Sequence, residues 1–126
     1  MFNLKDQGFI KQTMDNTIEI RPWGFYKILD ESKNHKTKYI YVEPNQKLSY
    51  QKHKHRSEHW FIVSGFPSVT VNGEKKVMVE GESINIKAGD LHRIEALNDP
   101  VEFIEVQTGT YFGEDNIERV DDMYGR

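Results

Sequence analysis

Cysteine is absent from the 126 residues. Disulfides and thiolate metal sites are thereby excluded, and a cytoplasmic setting is the simplest expectation. No apolar run is long enough to cross a bilayer as a helix, so no membrane partner is expected. The opening MFNLKDQGFIKQ lacks the uninterrupted apolar core of a signal peptide. Basic residues form no stripe: 17 Lys and Arg are interleaved with 20 Asp and Glu, for a formal net charge of −3. No nucleic-acid partner is expected. Internal repeats, low-complexity tracts and domain linkers are missing too. The length suits one domain with a single core. A hydrophobic content of 37%, with 12% aromatic residues, is enough to pack it.

What is present is a series of short strand-like segments punctuated by turns. Residues 25–31, 36–43, 48–55, 58–65, 68–71, 74–80, 82–90, 92–97 and 101–109 read as strands, many rich in β-branched and aromatic residues. Asn72-Gly73 predicts a tight hairpin, and Asn98-Asp99-Pro100 a second turn. Pro44 ends the strand before it. The run EHWFIVSG, residues 58–65, is nearly continuous in apolar character, as in a strand buried on both faces. Short strands at this spacing predict an all-β sandwich or barrel. Only GEDNIERVDDMYGR, residues 113–126, reads as helical, with Glu114 or Asp115 opening a short C-terminal helical segment. Residues 1–20 read as an N-terminal arm, its Phe2, Leu4, Phe9 and Ile10 packing on the body or on a second subunit. The rest, 21–126, is the domain itself, and a homodimer is expected.

The stretch QKHKHRSEHW, residues 51–60, holds three of the five histidines. In an extended strand Gln51, His53 and His55 share one face. Glu58 opens the next apolar run, so a tight reversal sets it beside His53, with Trp60 and Ile62 continuing its face. KAGDLHRI supplies a further imidazole, His92. A glutamine, two histidines and a glutamate give mixed oxygen and nitrogen ligation for one divalent ion; the set suits zinc, manganese, iron, cobalt or nickel and does not by itself choose among them. The same residues would also serve as a solvated edge strand that resists aggregation. His35 reads as a surface residue, and His59, on the face opposite Glu58, as a packing or supporting one.

QKHKHRSEHWFIVSG followed by GESINIKAGDLH resembles the two sequence motifs of the cupin superfamily. Glu58 and Gly65 have the separation of the first motif, and Gly89 and His92 that of the second. Lys87 and Ala96 stand where the second motif has proline and asparagine. The order RPWG (21–24), SYQKHKHRSEHW, GDLHRIE and IEVQTGTYFGEDNIERVDDMYGR is similar to type II phosphomannose isomerases, over roughly residues 21–126. Asn45 stands where that family usually has glycine. The resemblance implies a cupin-type double-stranded β-helix, or jelly-roll barrel. It implies a metal held by Gln51, His53, Glu58 and His92, with His55 in reserve for Gln51.

By the same resemblance the chain would interconvert mannose 6-phosphate and fructose 6-phosphate through a cis-enediol(ate). Its partner would be a small sugar phosphate. Arg21, Arg56, Arg93 and Arg126 become the candidate phosphate binders, since guanidinium groups suit that task. Lys38, Arg56 and Arg126 become the candidate catalytic groups, with Lys38 as base if burial makes it less basic. Nucleotide transfer is not expected, because the Gly-rich nucleotide-binding opening is missing. The C-terminal run would close over the barrel mouth as a lid. Two other readings share these motifs: a non-catalytic sugar-binding cupin, and another metal-cupin enzyme such as a dioxygenase.

Overall fold

The computed structural model describes residues 18–121, the side chain of Asn116 excepted. Among them are eleven strands: Ile18–Arg21 (β1), Gly24–Glu31 (β2), His35–Val42 (β3), Tyr50–His53 (β4), Arg56–Ser64 (β5), Ser68–Val71 (β6), Glu74–Val77 (β7), Ser83–Ile86 (β8), His92–Glu95 (β9), Val101–Gly109 (β10) and Ile117–Asp121 (β11). They form two antiparallel sheets. One runs β1-β2-β3-β10-β5-β8 and the other β11-β4-β9-β6-β7. Sheets packed face to face around one core make the expected jelly roll.

Local chemistry fixes several corners. Asn72 and Gly73 hold φ of 49° and 84°, the left-handed pair that a two-residue hairpin between β6 and β7 requires. Asn45 has φ of 63°, and its N–H donates to Leu97 O at 2.8 Å. Asparagine tolerates the left-handed region better than other side chains, so it fills a place where glycine is usual. At Gly24 a Cβ would collide with the carbonyl oxygen of Tyr41, so only glycine lets β2 approach β3 there. Trp23, beside it, is buried in the core.

The inner face of the larger sheet changes character along its strands. Val42, Ile40, Lys38 and Lys36 point inward from β3. Val101, Phe103, Glu105 and Gln107 do so from β10, and Ile62, Trp60, Glu58 and Arg56 from β5. The register sets Phe103 between Ile40 and Ile62, Glu105 between Lys38 and Trp60, and Gln107 between Lys36 and Glu58. One end of the barrel is therefore a hydrophobic plug, and the other carries buried charge.

Two readings of the sequence need correction. Glu58–Ser64 is not buried on both faces within one chain: Phe61 and Val63 point outward, 44% and 40% exposed. As far as Asp121 the C-terminal run forms no α-helix. Glu114–Asn116 makes one 3₁₀ turn, and Ile117–Asp121 then pairs with β4 as a strand. A β-ladder satisfies the backbone there, while a lone helix so short would be marginal. The arm expected at 1–20 lies outside the described residues except for Ile18–Ile20, which open β1. Among the described residues no helix is long and apolar enough to cross a membrane.

Candidate metal centre

Three elements deliver the centre. β4 ends on His53, β5 crosses to the other sheet and turns Glu58 inward, and β9 begins with His92. Candidate ligand atoms from the three side chains all lie within 4.8 Å of one another. All three residues are buried. The reversal expected between β4 and β5 does bring Glu58 to His53, with Oε2 3.2 Å from Nε2.

His92 is arranged as a candidate ligand rather than as a hydrogen-bond partner of Glu58. His92 Nδ1 lies 2.9 Å from the backbone oxygen of Asp90, so Nδ1 carries the proton and Nε2 keeps its lone pair. That Nε2 has no hydrogen-bond partner and faces Glu58 Oε1 at 3.7 Å. Two buried acceptors facing one another are costly unless a cation lies between them. His53 Nδ1 is buried without a partner as well. Burial, then the Arg56 charge and His92, push the His53 imidazole from its ordinary 6.5 down to about 3. Burial also lowers His92, against the opposing pull of its bond to Asp90. Both rings are thus neutral at ordinary pH, the state that binds metal. An ion held by nitrogen and oxygen fits this donor set.

A chain of buried polar groups backs the glutamate. Trp60 Nε1 donates to Glu58 Oε1 at 3.0 Å and to Glu105 Oε2 at 3.1 Å, and Gln107 Nε2 donates to Glu105 Oε1 at 2.6 Å. Arg56 Nε donates to Glu58 Oε2 at 3.0 Å, while its Nη2 lies 3.2 Å from His53 Nε2. Burial raises the Glu105 carboxyl above the usual carboxylate range, and the neighbouring Glu58 charge adds to this.

The cavity in front of these groups is lined by Arg21, Tyr26, Lys38, Gln51, Glu105 and Glu114, among others. Gln51 lies opposite His92 in the β4–β9 ladder and lines the same cavity as Glu58. Arg56 Nη1 reaches Phe112 O at 3.5 Å. Lys38 Nζ pairs with Glu114 Oε2 at 3.1 Å and sits 4.1 Å from the Tyr26 ring centre. Burial, and then the charge of Lys38, make Lys36, the next inward lysine on β3, less basic. Arg21 stands at the rim, bonded to Tyr26 Oη at 3.3 Å.

Other expected residues are placed elsewhere. Arg93 points away from the cavity, donating to Leu48 O at 2.9 Å and Asp121 O at 3.0 Å, and so fastens β11. His55 is exposed at the bend between β4 and β5. His59 faces outward and bonds Asn85 rather than supporting Glu58. Arg126 lies outside the described residues. Glu105, Gln107 and Glu114 were not foreseen. The first two continue the inward alternation of Val101 and Phe103, which is the signal that marks them.

A jelly roll with two buried histidines and a glutamate converging between its sheets is the cupin architecture. Solved structures agree on the fold. A cupin of the RmlC type from Shewanella frigidimarina superposes with a TM-score of 0.71 at 21% identity, over 80% of this chain and 89% of that one. Oxalate decarboxylase from Bacillus subtilis gives 0.73 at 21% identity, over 86% of this chain and 31% of that one. At such identities the likeness concerns architecture alone. Within the cupins, the chain belongs to the family described as mannose-6-phosphate isomerase C-terminal, which matches residues 10–122. It is 41% identical to the alginate biosynthesis protein AlgA of Pseudomonas aeruginosa, over 91% of this chain and 24% of that protein. It is 45% identical to the mannose-1-phosphate guanylyltransferase ManC of Salmonella typhimurium, over 84% of this chain and 22% of that protein. The chain thus spans about a quarter of the length of these curated relatives.

Proposed function

We propose that the chain is a metal-dependent sugar-phosphate isomerase interconverting mannose 6-phosphate and fructose 6-phosphate. The observation that carries the reading is the unpartnered His92 Nε2 facing Glu58, a residue that lines one cavity together with Lys38 and Arg56. Membership of the isomerase C-terminal family supports the choice of substrate. Gln51, His53, Glu58 and His92 would hold one divalent ion, zinc first among the candidates. Bound there, the ion would polarise the substrate carbonyl and favour the negative charge that develops on its oxygen.

The remaining tasks fall to side chains. The reaction moves one proton from C2 to C1, through a cis-enediol(ate). The moving group must accept a proton and return it, so the cycle closes without net proton change. We assign this to Glu105, which lines the cavity and whose raised pKa makes its carboxylate a stronger base than an exposed one. Lys38, the candidate from the sequence motif, makes the contacts of a bound cation instead. Arg56 holds the anionic end of the substrate, with Arg21 at the rim and Arg126 as a further candidate. Ile117 and Arg119 of β11 wall the cavity, so the C-terminal segment shields the reacting carbons from water. A cytoplasmic setting suits both this substrate and the lack of cysteine.

The test is a coupled isomerase assay after metal removal and readdition, with proton exchange at C2 followed in heavy water. Activity and exchange restored by metal would support the reading. Phosphosugar binding without either would replace it with a sugar-binding role.

A further inference from the structure

We infer that Lys38 and Arg56 together form the subsite for the substrate phosphate, and that Glu114 is its resident counter-anion, displaced when the phosphate enters. This rests on the sugar-phosphate reading above and names which cations serve it.

The geometry is that of an anion already in place. Glu114 Oε2 lies 3.1 Å from Lys38 Nζ and 3.8 Å from Arg56 Nη1. The two cationic side chains are 5% and 4% exposed, whereas Glu114 is 41% exposed. Arg56 already has Glu58 as a buried partner, and Glu114 supplies the carboxylate that pairs the buried Lys38 while also facing Arg56. It does so from the solvent side. Arg56 itself is anchored from below by Glu58 Oε2 at 3.0 Å, so its Nη1 edge stays turned toward Glu114. Tyr26 lies under the Lys38 ammonium and keeps it at the cavity wall.

Glu114 is also placed where it can leave. It stands on a three-residue 3₁₀ turn outside both sheets, and its side chain is partly open to solvent. A phosphate monoester carries up to two negative charges and three acceptor oxygens, against one charge for the carboxylate. It therefore competes for the same two donors on favourable terms. A neutral sugar, or one bearing a single weak charge, does not. Glu114 thus sets a threshold that selects doubly charged ligands.

Isothermal titration of the full chain, loaded with metal, tests this using inorganic phosphate, mannose 6-phosphate and mannose. Glu114→Gln keeps the shape and removes the charge. It is expected to bind both phosphates about tenfold more tightly and mannose unchanged. Glu114→Asp, which draws the carboxylate back by one methylene, should move in the same direction and serves if the glutamine variant fails to fold. Unchanged or weaker phosphate binding in the folded variants overturns the inference. In the wild type, the carboxyl carbon signal of Glu114 should shift on adding phosphate, and a fixed signal also overturns it. If the wild type isomerises mannose 6-phosphate while the variants bind phosphate like wild type, this inference alone fails. If the variants gain phosphate affinity and the wild type never turns over, the isomerase reading alone fails.

Discussion

The indole N–H of Trp60 is shared between two carboxylates, Glu58 at 3.0 Å and Glu105 at 3.1 Å. One donor so placed fixes which oxygen of Glu58 turns toward His92. Groups that orient metal ligands are often worth tenfold to a hundredfold in metal affinity. Trp60→Phe keeps the buried ring and removes the donor. Its affinity for zinc should fall by about tenfold or more, while circular dichroism remains that of a β protein. Competition with a chromophoric chelator measures the difference.

Metal content should separate the three histidines that differ most in surroundings. His53→Ala and His92→Ala each remove a buried imidazole from the ligand group, and both should retain less than about a tenth of the wild-type ion after dialysis. His35 sits at the surface, paired with Asp30 at 2.5 Å, and His35→Ala should keep its full complement. Elemental analysis decides. Full metal in both buried-site variants would refute the ligand assignment.

Stability of the metal-free protein should fall on mild acidification. His53 titrates near 6.5 when unfolded and near 3 when folded, chiefly because it is buried. Between these values the unfolded chain binds a proton that the folded one excludes. The contribution is fully present above pH 6.5 and is lost as pH falls toward 3. It amounts to about 2 kcal/mol between pH 6.5 and pH 5. Urea unfolding at both pH values should show a shallower dependence in His53→Asn than in the wild type.

Gly24→Ala should be among the more damaging single changes in the fold. The added methyl would collide with the Tyr41 carbonyl, and the residue holds φ of 151°. A loss of about 3 kcal/mol or more is expected, because backbone rather than a flexible side chain must give way. Thermal denaturation measures it.

The outer face of β5 should be covered by a second chain. Phe61 and Val63 are exposed there, and the register sets Phe61 beside Ile104, which lies beside Tyr39. Such an apolar surface suits a two-fold partner. Light scattering should report a dimer at micromolar concentration, and Phe61→Lys should shift it toward monomer.

Much of this architecture can be read in the residues because a strand has a period of two. That period places His53, Glu58 and Trp60 without coordinates, and Asn72-Gly73 announces its hairpin by the backbone angles it needs. The C-terminal strand escapes the same reading. Ile117–Asp121 has mostly exposed side chains, so no alternation marks it, and its acids read as a solvated helix. Glu105 and Gln107 were visible in the alternation of β10, but polar residues at inward positions look like errors until their partners are known. Glu114 left no such trace. Its importance depends on Lys38, 76 positions away, and nothing local records that meeting.

The candidate ligands also divide between the layers of the fold: His53 and His92 belong to the five-stranded sheet and Glu58 to the six-stranded one. An ion among them would act as a rivet through the sandwich. Holding both sheets at one point, it would resist their sliding or opening apart, and the melting temperature would become a gauge of metal supply. Chelation would then loosen the barrel mouth before any chemistry is assayed. Proteases that recognise open strands would find the stripped protein first.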